Sequence, residues 1–273
     1  MTIRPHLHLV LALSLLAAPL VAQQTHESPA LLPPSRTLIL IDPAHGGSDA
    51  GAHLKDNVLE KDVTLALAAR LKSTLTAHGF QVVTTRDGDT SPTSDQRAEQ
   101  ANHARPFVCI LLHASNSGFG PYLSASSLSP TSEDRLALPW DTAQSAFVSD
   151  SLALLNLTTK TFTSSKLPAI TLRASVPPID SLTCPALLLE LAPLAKSPVT
   201  DNDYQQSVAD ALTTALTAWR QQADTAIAPT DSTPAKPKPA PSATPAKPVA
   251  PKAPTPKPPT PPAPPASTPG GAK

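Results

Sequence analysis

The sequence predicts an α/β fold, in which a mainly parallel sheet is flanked by helices on both faces. Short apolar runs at Leu38–Ile41 and Phe107–Leu112 are typical of buried parallel strands. Between them, Leu59–Ala77 repeats apolar residues every four positions, which indicates a helix with one buried face. Strands that alternate with helices along a chain form a sheet covered on both faces.

The other elements continue this alternation. His78-Gly79 is a typical end for the first helix, and the β-branched run Phe80–Thr85 predicts a second strand. Arg97, in the helix predicted at Ser94–His103, is expected to face outward. Further helices are predicted at Ser94–His103, Ala143–Leu155 and Tyr204–Gln222, and further strands at Ala169–Leu172 and Ala186–Leu189.

Asn116–Pro139 is rich in Ser and Pro and is predicted to be a surface loop. The alternative is a lid that folds over a groove. Tyr122, within this stretch, is a candidate to line such a groove. Trp140, which follows it, is expected to pack in the core.

The N-terminus has the features of an export signal, predicted for residues 1–22. Arg4 precedes the apolar core Leu7–Leu20, and small residues follow at Val21-Ala22. An uncleaved membrane anchor is the alternative, although the apolar run is short for a span. A lead-in linker is expected at residues 23–35 and the folded catalytic domain at 36–222. The protein is therefore expected outside the cytoplasm, in the periplasm or the extracellular space.

The C-terminal residues 223–273 are predicted to be a disordered tail. Half of the 34 prolines of the chain follow Ile227, together with Ala, Thr and Lys. Such a composition cannot bury a core and favours extended polyproline II structure.

Charge and cysteine content exclude some classes of function. The formal net charge is zero and the pI is about 7.1, so no basic field for nucleic acid exists. Cys109 and Cys184 lie far apart with no C-x-x-C motif, which excludes a zinc ribbon. In an exported protein they form either a disulfide or two free buried thiols.

Four side chains are candidates for chemistry. His45 follows the first strand, His113 follows the third, and Glu190 ends a late strand. If these strands are neighbours, the side chains converge on one edge of the sheet, and Glu60 at the start of the first helix is within reach. Two imidazoles and a carboxylate suit Zn²⁺ with a fourth position open for water, and another carboxylate can act as general base.

Spacing alone leaves alternatives open. The compact H-E-x-x-H motif is absent. Glu60 would favour the helix macrodipole in any case, and Glu190 is alternatively half of a buried pair with an arginine such as Arg173. Asp42 either orients a ligand histidine or stabilises a turn.

The chain resembles the zinc-dependent N-acetylmuramoyl-L-alanine amidases of cell-wall turnover. The resemblance is carried by IDPAHGGSDAGA, LEKDVTLALAARLKSTLTAHGFQVVTTRDGD, QRAEQAN, FVCILLHAS, CPALLLEL and DYQQSVADAL, in that order. It implies a three-layer α/β sandwich in which His45, Glu60 and His113 bind Zn²⁺ and Glu190 is the catalytic carboxylate. It also implies hydrolysis of the amide between N-acetylmuramic acid and L-alanine in the stem peptides of peptidoglycan.

The chain departs from the family pattern at a few positions. Ala44 replaces a usual Gly, Leu111-Leu112 replaces Ser-Ile, and LAPLAKSPVTDN follows the catalytic carboxylate where Gly-Phe and Ser-Asn are usual. That last loop is therefore expected to affect substrate preference or activity itself. Arg86 and Arg97 match family positions and are interpreted as structural rather than substrate-binding, with Arg97 either exposed or paired.

The resemblance thus predicts an exported zinc amidase with peptidoglycan as its partner. A non-catalytic peptidoglycan-binding or scaffold protein on the same fold is the alternative, and a zinc peptidase that cuts within the stem is another. The tail lysines predict weak contact with anionic wall or membrane polymers, with an inert spacer as the alternative.

Overall fold

A six-stranded sheet organises residues 36–133 and 137–227, the parts of the chain that the computed structural model describes. The predicted signal peptide, the lead-in linker and residues 228–273 of the predicted tail lie outside them. In chain order the elements are β1 (Leu38–Pro43), α1 (Glu60–Ala77), β2 (Gln81–Thr84), α2 (Ser94–Ala104), β3 (Val108–Ala114), β4 (Tyr122–Ala125), α3 (Val148–Ser164), β5 (Ile170–Arg173), β6 (Ala186–Leu191) and α4 (Asn202–Ile227).

The sheet has the strand order β2-β1-β3-β6-β4-β5. All neighbouring strands are parallel except β4 and β6, so the predicted mainly parallel sheet is confirmed. After β1 the chain continues to β2 at one edge of the sheet. After β3 it continues to β4, on the opposite side of β3 from β1. The crevice between the carboxyl ends of β1 and β3 is therefore a topological switch point, where open α/β sheets bind ligands.

The two faces of the sheet carry different cores, as the two-residue period of a strand requires. One face, which includes Ile39, Ile110 and Leu189, packs against α1, α3 and α4. The other, which includes Leu40 and Leu111, packs against α2 and a short 3₁₀ helix at Ile179–Ser181. The three-layer sandwich predicted from the sequence is confirmed.

A disulfide joins Cys109 on β3 to Cys184 in the segment before β6, with a Cα–Cα distance of 6.2 Å. Both residues are buried in the thinner of the two cores. Of the two possibilities that the sequence left open for these cysteines, the structure contains the covalent one. The bond ties the central strand β3 to its neighbour at the start of β6.

The prediction of a plain surface loop at residues 116–139 is wrong over β4. This strand inserts between β6 and β5, and Leu123, Ser124 and Ala125 are all buried. The hydroxyl of Ser126, just beyond the strand, donates to the Asp180 carboxylate at 2.5 Å. The strand has only four residues, Tyr-Leu-Ser-Ala, which give little apolar periodicity, so pairing with β6 and β5 rather than a local pattern creates it.

Trp140 is 47% exposed, so the prediction that it packs in the core is wrong. It begins a 3₁₀ helix, Trp140–Ala146, which precedes α3 and displaces the start of α3 from the predicted Ala143. The last helix, α4, continues five residues past its predicted end at Gln222.

The two ends of the described body are tied together. Arg36, just before β1, donates to the Asp224 carboxylate at 2.8 Å and to the Ala223 carbonyl at 2.8 Å. Residues 223–227 therefore belong structurally with the folded body. Among residues 36–133 and 137–227, no helix has the length and apolar content needed to cross a bilayer.

Candidate metal centre and catalytic cleft

The turn after β1 presents His45. Its backbone has a φ of +62°, which is uncommon outside glycine, and Gly46 and Gly47 follow with φ of +130° and +56°. Backbone hydrogen bonds of 2.8 Å and 3.0 Å between Gly46 and Asp49 close the turn. The glycines let the chain reverse tightly, and this leaves the imidazole at the carboxyl end of β1.

Two buried arginines hold the strand end in place. Arg97 donates to the Pro43 carbonyl at 2.8 Å and to the His45 carbonyl at 2.7 Å. Arg86 donates to the Pro43 and Ala44 carbonyls, both at 2.9 Å. Three successive carbonyls are therefore fixed by guanidinium groups, which secures the strained backbone of His45. These contacts agree with the structural interpretation of both arginines.

The expectation that Arg97 faces outward is wrong, because this residue is only 6% exposed. Its guanidinium forms an ion pair of 2.6 Å with Asp42, which also accepts a hydrogen bond from the Thr85 hydroxyl. Asp42 thus stabilises the junction of β1 and α2, and among the described residues its carboxylate forms no hydrogen bond with a candidate ligand histidine. The charge of Arg97 suggested that its side chain is exposed. A charged side chain can be buried when it is paired, and here the partner is the Asp42 carboxylate.

The carboxylate of Glu60, the first residue of α1, lies between the two imidazoles. One oxygen is 3.0 Å from Nδ1 of His113 and accepts the Ala114 N–H at 3.0 Å. The other is 3.1 Å from Nε2 of His45 and accepts the Ala52 N–H at 2.9 Å. Burial raises the pKa of Glu60, but the hydrogen bonds from His113 and the two backbone N–H groups outweigh it and lower this pKa to about 2.

His45, Glu60 and His113 therefore meet at the switch point. One ligand atom from each lies within 4.8 Å of the others, and the two imidazole rings are edge to face with centroids 5.4 Å apart. Two imidazole nitrogens and one carboxylate oxygen form the donor set of an open tetrahedral Zn²⁺ site. The structure thus brings together the three candidate ligands that were named from the sequence.

Asp49 orients His45, a role that the sequence analysis did not assign. Its carboxylate lies 2.9 Å from Nδ1 of His45, and this hydrogen bond lowers the pKa of Asp49. An ionised carboxylate only accepts hydrogen bonds, so Nδ1 carries the proton and Nε2 keeps its lone pair for a metal. The sequence did contain a signal for this role, because Asp49 follows His45 by four residues within a turn bounded by glycines.

Gly51 makes room for the ligands. It has a φ of +65°, and a Cβ built on it would lie 2.6 Å from Cδ2 of His45 and 2.8 Å from an oxygen of Glu60. Real Cβ atoms do not approach other atoms so closely. A side chain at this position would therefore displace two of the three candidate ligands.

Glu190 lies beside this cluster. In the parallel register of β3 and β6 it is directly opposite His113, so both side chains point to the same face of the sheet. The alternative of a buried pair with Arg173 is not what the structure contains, because that guanidinium donates to the Ser126 and Leu128 carbonyls. Within the described residues, Glu190 makes no ion pair, and it is partly exposed.

A polar cleft of about 250 Å³ opens over the cluster. His45, His113 and Asp49 line one side, and residues 91–94 with Pro177 line the other. Tyr122 lies opposite Glu190 in the antiparallel register of β4 and β6, which places it at the same edge of the sheet. The cleft thus exposes both imidazoles to a ligand from solvent.

The family model of N-acetylmuramoyl-L-alanine amidases (Amidase_3) matches residues 39–218, from β1 into α4. The chain belongs to this family. The match includes all of the residues that surround the candidate metal centre.

Curated relatives within the amidase family align with shorter segments. The germination-specific N-acetylmuramoyl-L-alanine amidase of Bacillus subtilis is 35% identical over 96 residues, which cover 30% of this chain and 40% of that protein. The amidase AmiA of Salmonella typhimurium is 36% identical over 80 residues, which cover 29% of this chain and 28% of that protein. The aligned segments thus span well under half the length of these relatives.

Solved amidase structures share the fold. The catalytic domain of CwlV from Bacillus (Paenibacillus) polymyxa var. colistinus matches with a TM-score of 0.53 at 25% identity, and covers 68% of this chain and 98% of that one. An N-acetylmuramoyl-L-alanine amidase from Clostridium difficile 630 matches with the same TM-score at 23% identity, over 67% and 96% of the two chains. Because its identity is only 23%, the second match supports the fold and nothing further.

Proposed function

We propose that this chain is an exported, zinc-dependent amidase that hydrolyses the bond between N-acetylmuramic acid and L-alanine in peptidoglycan stem peptides. The observation that carries the proposal is the cluster of His45, Glu60 and His113 at the switch point, with Glu190 aligned beside His113. Membership in the amidase family supports the same substrate bond.

In this proposal Nε2 of His45, Nδ1 of His113 and the Glu60 carboxylate would hold the metal, and Nδ1 of His113 would first lose the proton that it donates to Glu60. When bound, Zn²⁺ supplies Lewis acidity, which polarises a carbonyl and makes water more acidic. Asp49 keeps His45 in the tautomer that offers Nε2, and the Ala52 and Ala114 N–H groups keep the Glu60 carboxylate ionised and oriented.

Glu190 is the general base and then the general acid. Its carboxylate takes a proton from water as the water oxygen attacks the carbonyl carbon of the lactyl–alanine amide. The same proton passes to the alanine nitrogen as the C–N bond breaks, which releases the free amine of L-alanine. The products are a lactyl carboxylate on the sugar and a stem peptide with an intact N-terminal alanine.

Two further parts of the proposal concern the chain ends. We propose that residues 1–22 direct export and that the enzyme works in the periplasm or outside the cell, at the wall. The lysines of the tail favour contact with anionic wall or membrane polymers. Deletion of residues 229–273 should then lower retention on isolated sacculi, and unchanged retention would leave the tail as an inert spacer.

Glu190→Ala should reduce dye release from labelled sacculi by about 10²–10⁴-fold, yet still copurify with about one zinc per chain. His45→Ala should lose the metal itself, because it removes one of three protein ligands. Glu99→Ala, which removes an exposed carboxylate on α2, is the matched control and should change neither quantity. Full activity in Glu190→Ala would exclude this residue from the mechanism.

Product analysis separates the candidate functions. An amidase releases stems that begin with an intact alanine, whereas a stem peptidase releases fragments cut further along, and mass spectrometry distinguishes them. A scaffold protein would release nothing, and its binding to sacculi would not depend on a chelator. Chelator-sensitive release of intact stems is the outcome expected here.

A further inference from the structure

A second cavity, of about 360 Å³, lies among loops at the same edge of the sheet. Its walls come from three segments: residues 55–58, which lead into α1, residues 115–116 after β3, and residues 193–200 after β6. Each segment adjoins a candidate site residue. The first precedes Glu60 by two positions, the second follows His113 by two, and the third follows Glu190 by three.

The lining of this cavity is cationic and rich in hydrogen-bond donors. Lys55 and Lys196 are both exposed, and the ammonium group of neither forms an ion pair or hydrogen bond with another of the described residues. Asp56 is the one acidic lining residue, so two ammonium groups face one carboxylate. Neutral donors and apolar residues share the rest of the wall, and the neutral donors are Ser115, Asn116, Ser197 and Thr200.

The two lysines belong to hydrogen-bonded turns rather than to open loops. The Leu54 N–H donates to the Val58 carbonyl at 2.8 Å across the turn that contains Lys55. Backbone hydrogen bonds of 3.0 Å and 2.7 Å between Leu194 and Ser197 close the turn that contains Lys196.

Both turns contain non-glycine residues with a positive φ. Asp56 and Asn57 each have a φ of +61°, and Ala195 has a φ of +50°. Asp and Asn tolerate this conformation in turns, whereas an alanine persists in it only where the surrounding structure fixes the backbone, and such residues cluster at ligand sites. Unpaired cations on fixed turns therefore indicate a preformed site for an anion.

We propose that this cavity is a specificity subsite in which Lys55 and Lys196 bind a carboxylate of the stem peptide. The inference rests on the proposed function, which brings the stem to this edge of the sheet. Ammonium groups recognise an ionised carboxylate by charge and hydrogen bonding together. The corresponding carboxamide has the same size but lacks the charge, so the subsite distinguishes the two.

The test uses two synthetic N-acetylmuramoyl peptides that differ only in whether one stem carboxylate is free or is converted to its carboxamide. The full chain, loaded with zinc, should cleave the free acid with a kcat/KM about five- to tenfold higher, as expected for partly exposed ion pairs. The double variant Lys55→Gln/Lys196→Gln should lose this preference and keep its kcat/KM on the carboxamide. Lys160→Gln, an exposed lysine on α3, is the matched control and should keep the preference.

Equilibrium binding of both peptides to the Glu190→Ala variant, with and without the two lysine changes, separates this inference from the proposed function. Tighter binding of the free acid that disappears with the lysines supports the subsite even if no peptide is cleaved. Cleavage of both peptides with equal kcat/KM, or a preference that survives in the double variant, overturns the subsite and leaves the amidase function intact.

Discussion

Single residues with little chemistry of their own set the geometry of the metal centre, and Gly51 is the clearest case. Gly51→Ala should abolish stoichiometric zinc binding, because the new Cβ would collide with His45 and Glu60. Gly79→Ala is the matched control, since Gly79 has a similar φ of +77° but nothing within 4 Å of the added Cβ. The control should lose about 1 kcal/mol of stability and keep its zinc. Equal zinc content in both variants would contradict the steric argument.

Asp49 acts on the metal only through His45. Asp49→Asn should raise the dissociation constant for zinc by about 10–100-fold, as loss of a carboxylate behind a ligand histidine does elsewhere. The neutral amide no longer fixes the proton on Nδ1, so Nε2 is a poorer ligand. Competition with a chromogenic chelator measures this. Glu99→Gln makes a comparable change on the exposed face of α2 and should leave the zinc affinity unchanged. If Asp49→Asn bound zinc with the wild-type dissociation constant, Asp49 would have no role in positioning His45.

At the scale of elements, α2 is held against the end of β1 by the buried pair of Arg97 and Asp42. Arg97→Met should lower the free energy of unfolding by about 3–5 kcal/mol, because it leaves a buried carboxylate without its cation. Asp42→Asn added to this variant should recover part of the loss. Urea denaturation of the wild type, both single variants and the double variant measures the coupling, and additive effects would show that the pair does not couple the two elements.

For the whole molecule, the disulfide between Cys109 and Cys184 closes a loop with a sequence separation of 75 residues. Cys109→Ala/Cys184→Ala should be less stable by about 2–4 kcal/mol, since a cross-link restricts the unfolded chain. The midpoint of urea denaturation should fall with dithiothreitol for the wild type but not for the double variant. If dithiothreitol left the urea midpoint of the wild type unchanged, the disulfide would contribute nothing to stability.

Much of the architecture could be predicted because apolar periodicity is local. The strands β1 and β3, the helix α1 and the layered α/β class all follow from the spacing of apolar residues. The local sequence pattern gave wrong predictions where residues distant in the chain determine whether a segment is a strand or a side chain is buried. β4 has little apolar pattern of its own and exists because β6 and β5 pair with it, while Arg97 is buried because Asp42 lies beneath it.

By itself, the sequence determined the layered fold and, through its resemblance to a family, the identities of the candidate ligands. Only the tertiary structure decided which of these side chains meet. Glu190 lies beside His113 because two strands far apart in the chain pair in one parallel register, and Asp49 faces His45 because the turn closes on itself. The physical reason is that a residue type fixes which chemistry is possible, whereas the distances between groups depend on long-range pairing that no local pattern encodes.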